Sequence, residues 1–323
     1  MRILLTGSSG WLGRFLAPRL RADGHAVVGL DVAPGADTDI VGSVADPAAV
    51  ARAFAGGVEA AIHAGALHKP DIARYPKQAF VDVNVTGTLN LLEAAVAAGC
   101  SRFVFTSTTS LMISDAIRAG KAGGAVRAAW LDEGFGPLEP RNVYGVTKRA
   151  AEQLCALHHR ERGLAVVVLR TGRFFPEEDD SRRDLAGPNV KANEFLNRRL
   201  TVEDAAEAHV AALARAPELG FGLYIVSAPP PFAPADAEAL IRDAPAVIAR
   251  HFPDAAALYA RAGWRLPDSI DRVYDPARAG RELGFRCRTD FAAVLAALRD
   301  GGPLPFAHDP SYVSPKEAAA GAG

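Results

Sequence analysis

The chain has 323 residues, of which 49% are hydrophobic and 23% charged, and a net charge of −1. That make-up fits a globular protein with one large α/β domain or two smaller ones. It gives no electrostatic pull toward nucleic acid or an anionic membrane. No apolar run approaches the ~18 residues that mark a membrane span, and the run before Thr6 is too short for a signal peptide. Cys100, Cys155 and Cys287 form no CxxC pair, which argues against a disulfide framework or zinc ribbon and fits a reducing cytoplasm.

The chain opens with an apolar run, Ile3 to Leu5, followed by glycines at 7, 10 and 13 and an amphipathic segment, Trp11 to Ala22. Strand, glycine turn and helix form the phosphate site of an α/β sheet, because backbone N–H groups and the helix N-terminus face the anion. Pro18 is a kink point in that helix. Ala26 to Leu30 predicts a buried second strand closed by Asp31, and Ile40-Val41 a short third. Asp46-Pro47 reads as a helix N-cap with proline at the first helical position. Strands are predicted at 58–63, 102–107, 164–170 and 222–227, and helices at 78–98, 143–162 and 202–214.

Continuous apolar strands alternating with helices indicate a parallel sheet covered on both faces. The fold class is therefore α/β, a Rossmann-type doubly wound sheet with a smaller, mostly helical C-terminal substrate lobe. The sheet domain is placed at 1–175, completed by about 201–227. The substrate lobe is placed at 176–200 and 228–310. Residues 114–141 and 176–199 read as irregular, 228–310 shows no clear strand, and 311–323 reads as a loose tail.

Two features carry chemistry. Asp31, at the end of the second strand, is spaced to accept hydrogen bonds from ribose hydroxyls and to repel a 2′-phosphate, which favours NAD over NADP. Tyr144 and Lys148 are four apart in a helix and share a face; tyrosine is a poor base at neutral pH without a nearby cation. No metal-ligand spacing occurs, and His63 fits a strand end better than a metal site.

The chain resembles the extended short-chain dehydrogenase/reductases of the NAD-dependent epimerase/dehydratase type. The matching motifs run in order: Thr6-Gly7-Ser8-Ser9-Gly10-Trp11-Leu12-Gly13, Asp31, Asp46, His63 to Ala66, Asn84 to Thr88, Thr106 to Thr108, Pro140 to Lys148, Leu169 to Gly172, Val202 to Asp204, and Asp275 to Phe285. The resemblance implies NAD as cofactor and a cofactor surface of Gly7, Ser9, Gly10, Trp11, Leu12, Asp31, Val44, Asp46, Ala64, Gly65, Ala66, Asn84, Thr106, Tyr144, Lys148 and Thr171. It implies Thr108, Tyr144 and Lys148 as catalytic residues, with Lys148 lowering the tyrosine's pKa. Ser107, Thr109, Arg173, Arg199 and Arg265 are implied on the substrate side. A homodimer packed through the helices around 87–98 and 143–162 is implied as well.

Departures from the family pattern narrow the reaction. Thr109 and Ser110 stand where dehydratases carry a carboxylate pair, so dehydration is disfavoured. Leu111-Met112-Ile113 replaces the usual V-Y-G. Asn197 stands near the place of a diphosphate-binding arginine, and the loop from Phe175 to Val202 is short, which favours a substrate smaller than a nucleotide sugar. The expected activity is hydride transfer to or from a secondary hydroxyl of a sugar-like substrate. The alternatives are UDP-sugar 4-epimerisation without net redox and a non-catalytic NAD-binding sensor.

Overall fold

The computed structural model describes residues 1–178 and 184–320. Its centre is a seven-stranded sheet, all parallel, in the order β3-β2-β1-β4-β5-β7-β8. In chain order the first half is β1 (Arg2–Thr6), α1 (Gly13–Ala22), β2 (Ala26–Asp31), β3 (Ile40–Val41), α2 (Pro47–Phe54), β4 (Ala60–His63), α3 (Lys77–Val81), α4 (Gly87–Ala97), β5 (Arg102–Thr108), α5 (Asp115–Ala119) and β6 (Ala129–Leu131). There follow α6 (Val143–Arg162), β7 (Ala165–Thr171), α7 (Gly187–Glu194), α8 (Val202–Leu219), β8 (Phe221–Val226), α9 (Ala237–Arg242), α10 (Ala244–His251), α11 (Ala255–Arg261), β9 (Arg272–Tyr274), α12 (Ala277–Glu282), α13 (Phe291–Asp300) and α14 (Pro315–Ala320).

Strand residues alternate between two cores, as the two-residue period requires. Ile3, Leu5, Ile62, Val104, Val167 and Leu169 pack on α1 and α8, while Leu4, Ala61, Phe103, Phe105, Val166 and Val168 pack on α2, α4 and α6. Both faces of each strand are thus dry, which is why these strands read as unbroken apolar runs. A third core, with Phe195, Leu240, Ile248, Tyr259, Phe291 and Val294, belongs to the C-terminal lobe.

Three stretches depart from the expectation. Residues 176–199 contain α7, whose Asn189 is buried and bonds both N–H and C=O of Arg265; internal polar partners hide such a helix from apolar periodicity. Residues 114–141 and 228–310 each supply one three-residue strand, β6 and β9, which pair in parallel; strands that short carry no pattern. Residues 311–318 are docked rather than loose, through Tyr312, Lys316 and Glu317.

Candidate active site

The sheet order reverses between β1 and β4, and the crevice outside the carboxyl ends of these strands is where open α/β sheets take their ligands. Gly7 leaves β1 with φ of 73°, and a Cβ there would lie 2.8 Å from Gly65 N in the loop after β4. A Cβ on Gly13 would run into Gly7 O, so α1 can start this close only with glycine. Gly10 N–H turns back to Gly7 O at 3.1 Å. The N–H groups of Trp11 and Leu12, at the positive end of α1, have no acceptor among the described residues. That is the donor set a pyrophosphate needs.

Asp31 closes β2 beside this turn. Its carboxylate accepts from Ser9 N at 3.1 Å and Ala33 N at 3.0 Å. Burial pushes its pKa up, and these backbone donors pull the other way. Asp46 caps α2 by accepting from Ala48 N at 2.9 Å, and Val44 is buried next to it, its carbonyl held by Asn90 at 3.1 Å. Ala64 and Gly65 are tied to Thr6 through N–H bonds of 3.3 and 3.0 Å, and Ala66 O faces Lys316. Asn84 is buried in a π-helical turn, 82–86, and holds both polar groups of Leu67 as well as the Thr147 hydroxyl; single π turns recur at functional sites. The residues present therefore fit a dinucleotide: a donor turn for the phosphates and a carboxylate one strand away.

The chemistry-bearing side chains meet at the ends of β5 and α6. Asn142 caps α6 by accepting from Gly145 N at 3.0 Å, which sets Tyr144 in the first turn and Lys148 one turn later. Thr108, at the end of β5, lies beside Tyr144 and accepts from Ser110 N at 3.1 Å. Lys148 Nζ donates to Thr106 O at 2.8 Å and lies 4.5 Å from the centre of the Phe105 ring. Burial pushes Tyr144 up to about 12, with Thr108 opposing and Asp71 reinforcing. Burial brings Lys148 down to about 7, against the pull of Cys155 and Glu152. Burial is the largest influence on the Tyr144 hydroxyl.

The remaining expected residues divide. Thr106 and Thr171 line the same strand ends: Thr106 Oγ1 bonds His209 Nε2 at 2.7 Å, and Thr171 donates to Ser107 O at 3.2 Å. Ser107 and Thr109 are turned to internal partners, Ser107 to Glu152 at 2.6 Å and Thr109 to Thr171 O at 3.2 Å, because alternate strand residues face opposite sides. Arg199 is 1% exposed. It bonds Glu194 at 2.8 Å and Phe175 O at 2.6 Å, so it is an internal ion-pair member and not a substrate arginine. Arg173 lies 4.0 Å from the same carboxylate, and its backbone bridges to Arg199. Arg265 is 69% exposed and donates to Asp184 O at 3.0 Å. An arginine-bearing crevice of about 350 Å³, lined by Arg118, Lys121, Asn197, Arg198 and Arg272 among others, touches none of Thr108, Tyr144 and Lys148.

Sequence reasoning missed His68 and Asp71. The His68 ring lies 5.7 Å from Tyr144 and 5.5 Å from Phe175. Burial drives its pKa well down, and Lys316 and Lys148 add to this. Its backbone N–H donates to Asp71 Oδ2 at 2.5 Å. The signal available was the loop after the fourth strand, which by position had to face the crevice.

Fold and site together define a dinucleotide-binding protein of the short-chain dehydrogenase/reductase class. Residues 3–187 match the NAD dependent epimerase/dehydratase family, and the chain belongs to that family. It is 34% identical over 182 residues to an L-arabinose 1-dehydrogenase (NAD(P)(+)) of Haloferax volcanii, across 53% of this chain and 66% of that protein. It is 27% identical over 187 residues to a uronate dehydrogenase of Pseudomonas syringae, across 56% of this chain and 62% of that one. The match therefore spans less than two thirds of these relatives. A short-chain dehydrogenase/reductase superfamily protein from Agrobacterium tumefaciens, solved with bound NAD, superposes with a TM-score of 0.63 at 25% identity, covering 93% of this chain and 98% of that chain.

Proposed function

We propose that this protein is an NAD-dependent oxidoreductase that oxidises a secondary hydroxyl of a free sugar or sugar acid, with Tyr144, Thr108 and Lys148 as its catalytic residues. The observation that carries the reading is the placement of Tyr144 and Lys148 one helical turn apart at the start of α6, beside Thr108 at the end of β5. Bound NAD supplies the hydride acceptor. Thr108 holds the substrate oxygen, and Tyr144 Oη takes its proton. A tyrosine near 12 is protonated at rest, which suits it to the acid role in the reverse direction; as a base it relies on Lys148. With a pKa of about 7, Lys148 holds or releases a proton near neutrality. Asp31 holds the adenosine ribose, and the turn 7–13 the pyrophosphate. The two matched dehydrogenases, named for arabinose and uronate, support a substrate without a nucleotide.

The test is a panel of free sugars, sugar acids and UDP-sugars given with NAD, read by NADH absorbance and product analysis. A stoichiometric rise in NADH with a free sugar or sugar acid is expected. Product from a UDP-sugar without net NADH would overturn the dehydrogenase reading in favour of a 4-epimerase, and no turnover with NADH still bound would favour a sensor. The working unit in this proposal is a cytoplasmic homodimer. The free cysteines support the compartment, and exposed Val81, Leu89 and Val146 on α3, α4 and α6 support the interface. Sedimentation of the purified chain tests the dimer.

A further inference from the structure

The segment after α13 returns across the molecule to the dinucleotide crevice. Asp309 N donates to Pro176 O at 3.0 Å. Tyr312 packs on Trp11 with ring centroids 5.2 Å apart, and the Arg14 guanidinium lies 5.2 Å from the Trp11 ring and 5.7 Å from that of Tyr312. One helical turn's length further on, Lys316 Nζ donates to Asp71 Oδ2 at 2.5 Å and to Ala66 O at 3.4 Å, while Glu317 pairs with Arg74. Trp11 belongs to the glycine turn after β1, and Ala66 to the loop after β4. These two strands flank the point where sheet order reverses. A segment fastened to both loops crosses the crevice between them, which is where a dinucleotide lies.

The fastening at Asp71 is not a casual surface contact. Asp71 is 1% exposed, and its Oδ1 has no partner among the described residues. A buried carboxylate stripped of its cation is costly. Its Oδ2 also receives the N–H of His68, whose ring faces Tyr144. The Lys316 charge is felt at both ends of the crevice, by Asp31 on one side and His68 on the other. Elsewhere the segment is held lightly: Ser311 and Val313, on either side of Tyr312, are exposed. Few buried contacts mean a low cost of local opening.

We propose that residues 309–318 are a strap over the cofactor crevice and that Lys316 is its latch, so that NAD and NADH exchange only when Lys316 leaves Asp71. The proposal rests on the crevice being the NAD site. The strap slows cofactor release without touching the hydride-transfer residues, and it joins cofactor exchange to the Asp71–His68 corner of the active site.

The test uses the full chain and NADH fluorescence: an equilibrium titration, then stopped-flow displacement of bound NADH by excess NAD. Lys316→Met and Tyr312→Ala are each expected to raise the NADH dissociation rate by about tenfold, the scale of one charge-assisted or aromatic contact. Lys316→Met leaves Asp71 buried and unpaired, so the Asp71→Asn/Lys316→Met pair is the control. Fast release in that pair supports the latch. Release at the wild-type rate in the pair, with fast release in the single variant, would trace the effect to the stranded carboxylate and overturn the strap. Unchanged rates in every variant overturn it too, with the NAD site intact. A wild-type chain that binds no NADH would remove the cofactor reading itself.

Discussion

His63 at the end of β4 accepts a hydrogen bond from the Thr6 hydroxyl at the end of β1, 2.8 Å away. The direction follows from its neighbours. The Thr88 hydroxyl is spent on Asn84 O at 2.7 Å, so it accepts from His63 Nε2–H at 3.1 Å, which leaves Nδ1 as the acceptor. Thr6 in turn accepts from Gly65 N–H. Asn84 continues the chain to Thr147, and Thr147 donates back to Val143 O. A single line of polar contacts thus joins the cofactor loop to the helix that carries Tyr144 and Lys148. Asn84→Ala would strand both polar groups of Leu67 in a buried site. The expected cost is roughly 2–4 kcal/mol, from two unsatisfied groups, read as a lower midpoint in urea denaturation; a midpoint near that of the wild type would mean the line carries no load.

Removing the Tyr144 hydroxyl separates binding from chemistry. Tyr144→Phe keeps the buried ring in its cluster with Leu67 and Phe80 and loses the hydroxyl proposed to carry the proton. Turnover is expected to fall about 10²–10⁴-fold, the usual worth of a positioned acid/base group, with NADH binding by fluorescence unchanged. Near-normal turnover in this variant would refute the assigned role.

In the proposed cofactor site, Asp31 is the residue that selects NAD over NADP. Its two carboxylate oxygens already hold Ser9 N and Ala33 N, so the charge is fixed in place where a 2′-phosphate would have to sit, and repulsion in a partly buried site is poorly screened. The wild type is expected to bind NADH well ahead of NADPH, and Asp31→Ser to narrow that gap by roughly tenfold or more. Equal affinities in the wild type, measured by fluorescence titration, would count against the assignment.

The sheet was legible in the sequence because both its faces are buried. Val166, Val167 and Val168 go to alternate cores, and that leaves an unbroken apolar run. The glycine turn was legible for a related reason: Gly7 and Gly13 are fixed by close backbone approach, a constraint only glycine meets. The substrate side was not legible. An arginine that clamps a substrate and an arginine that neutralises a buried glutamate look alike in one dimension, and Arg199 proved to be the second kind. The strap was hidden because its contacts are single residues, Tyr312 and Lys316, in a small polar stretch with no period to read.

The placement of Arg199 has its own consequence. Glu194 is 3% exposed and is shared by Arg198 at 2.7 Å and Arg199 at 2.8 Å, with Arg173 at 4.0 Å. Arg199→Ala removes one member and leaves a cavity beside a buried charge. A loss of about 3–5 kcal/mol is expected, the scale for breaking a buried pair from one side. Arg265→Ala, on the exposed surface, is expected to stay within about 0.5 kcal/mol. Chemical denaturation of both variants decides the matter: a stable Arg199→Ala protein with a raised KM would restore Arg199 to the substrate side.

His209 gives the fold a pH dependence of known sign. Its ring is fully buried in α8, bonded to Ala205 O at 2.7 Å and to the Thr106 hydroxyl at 2.7 Å. The first bond needs a proton on Nδ1, so Nε2 accepts from Thr106, and the ring is neutral. Burial lowers its pKa from 6.5 to about 4, with the Ala205 bond opposing. Between those values the unfolded chain binds a proton that the folded chain refuses. Stability therefore rises with pH across the window and is lost as pH falls from 6.5 toward 4, by up to about 3 kcal/mol for this group. His63 and His68 shift in the same direction and add to the slope. Thermal midpoints across this range should fall with pH in the wild type and less steeply in His209→Gln, which keeps a neutral polar side chain at any pH. An equal slope in both proteins would show that His209 is not among the groups that set it.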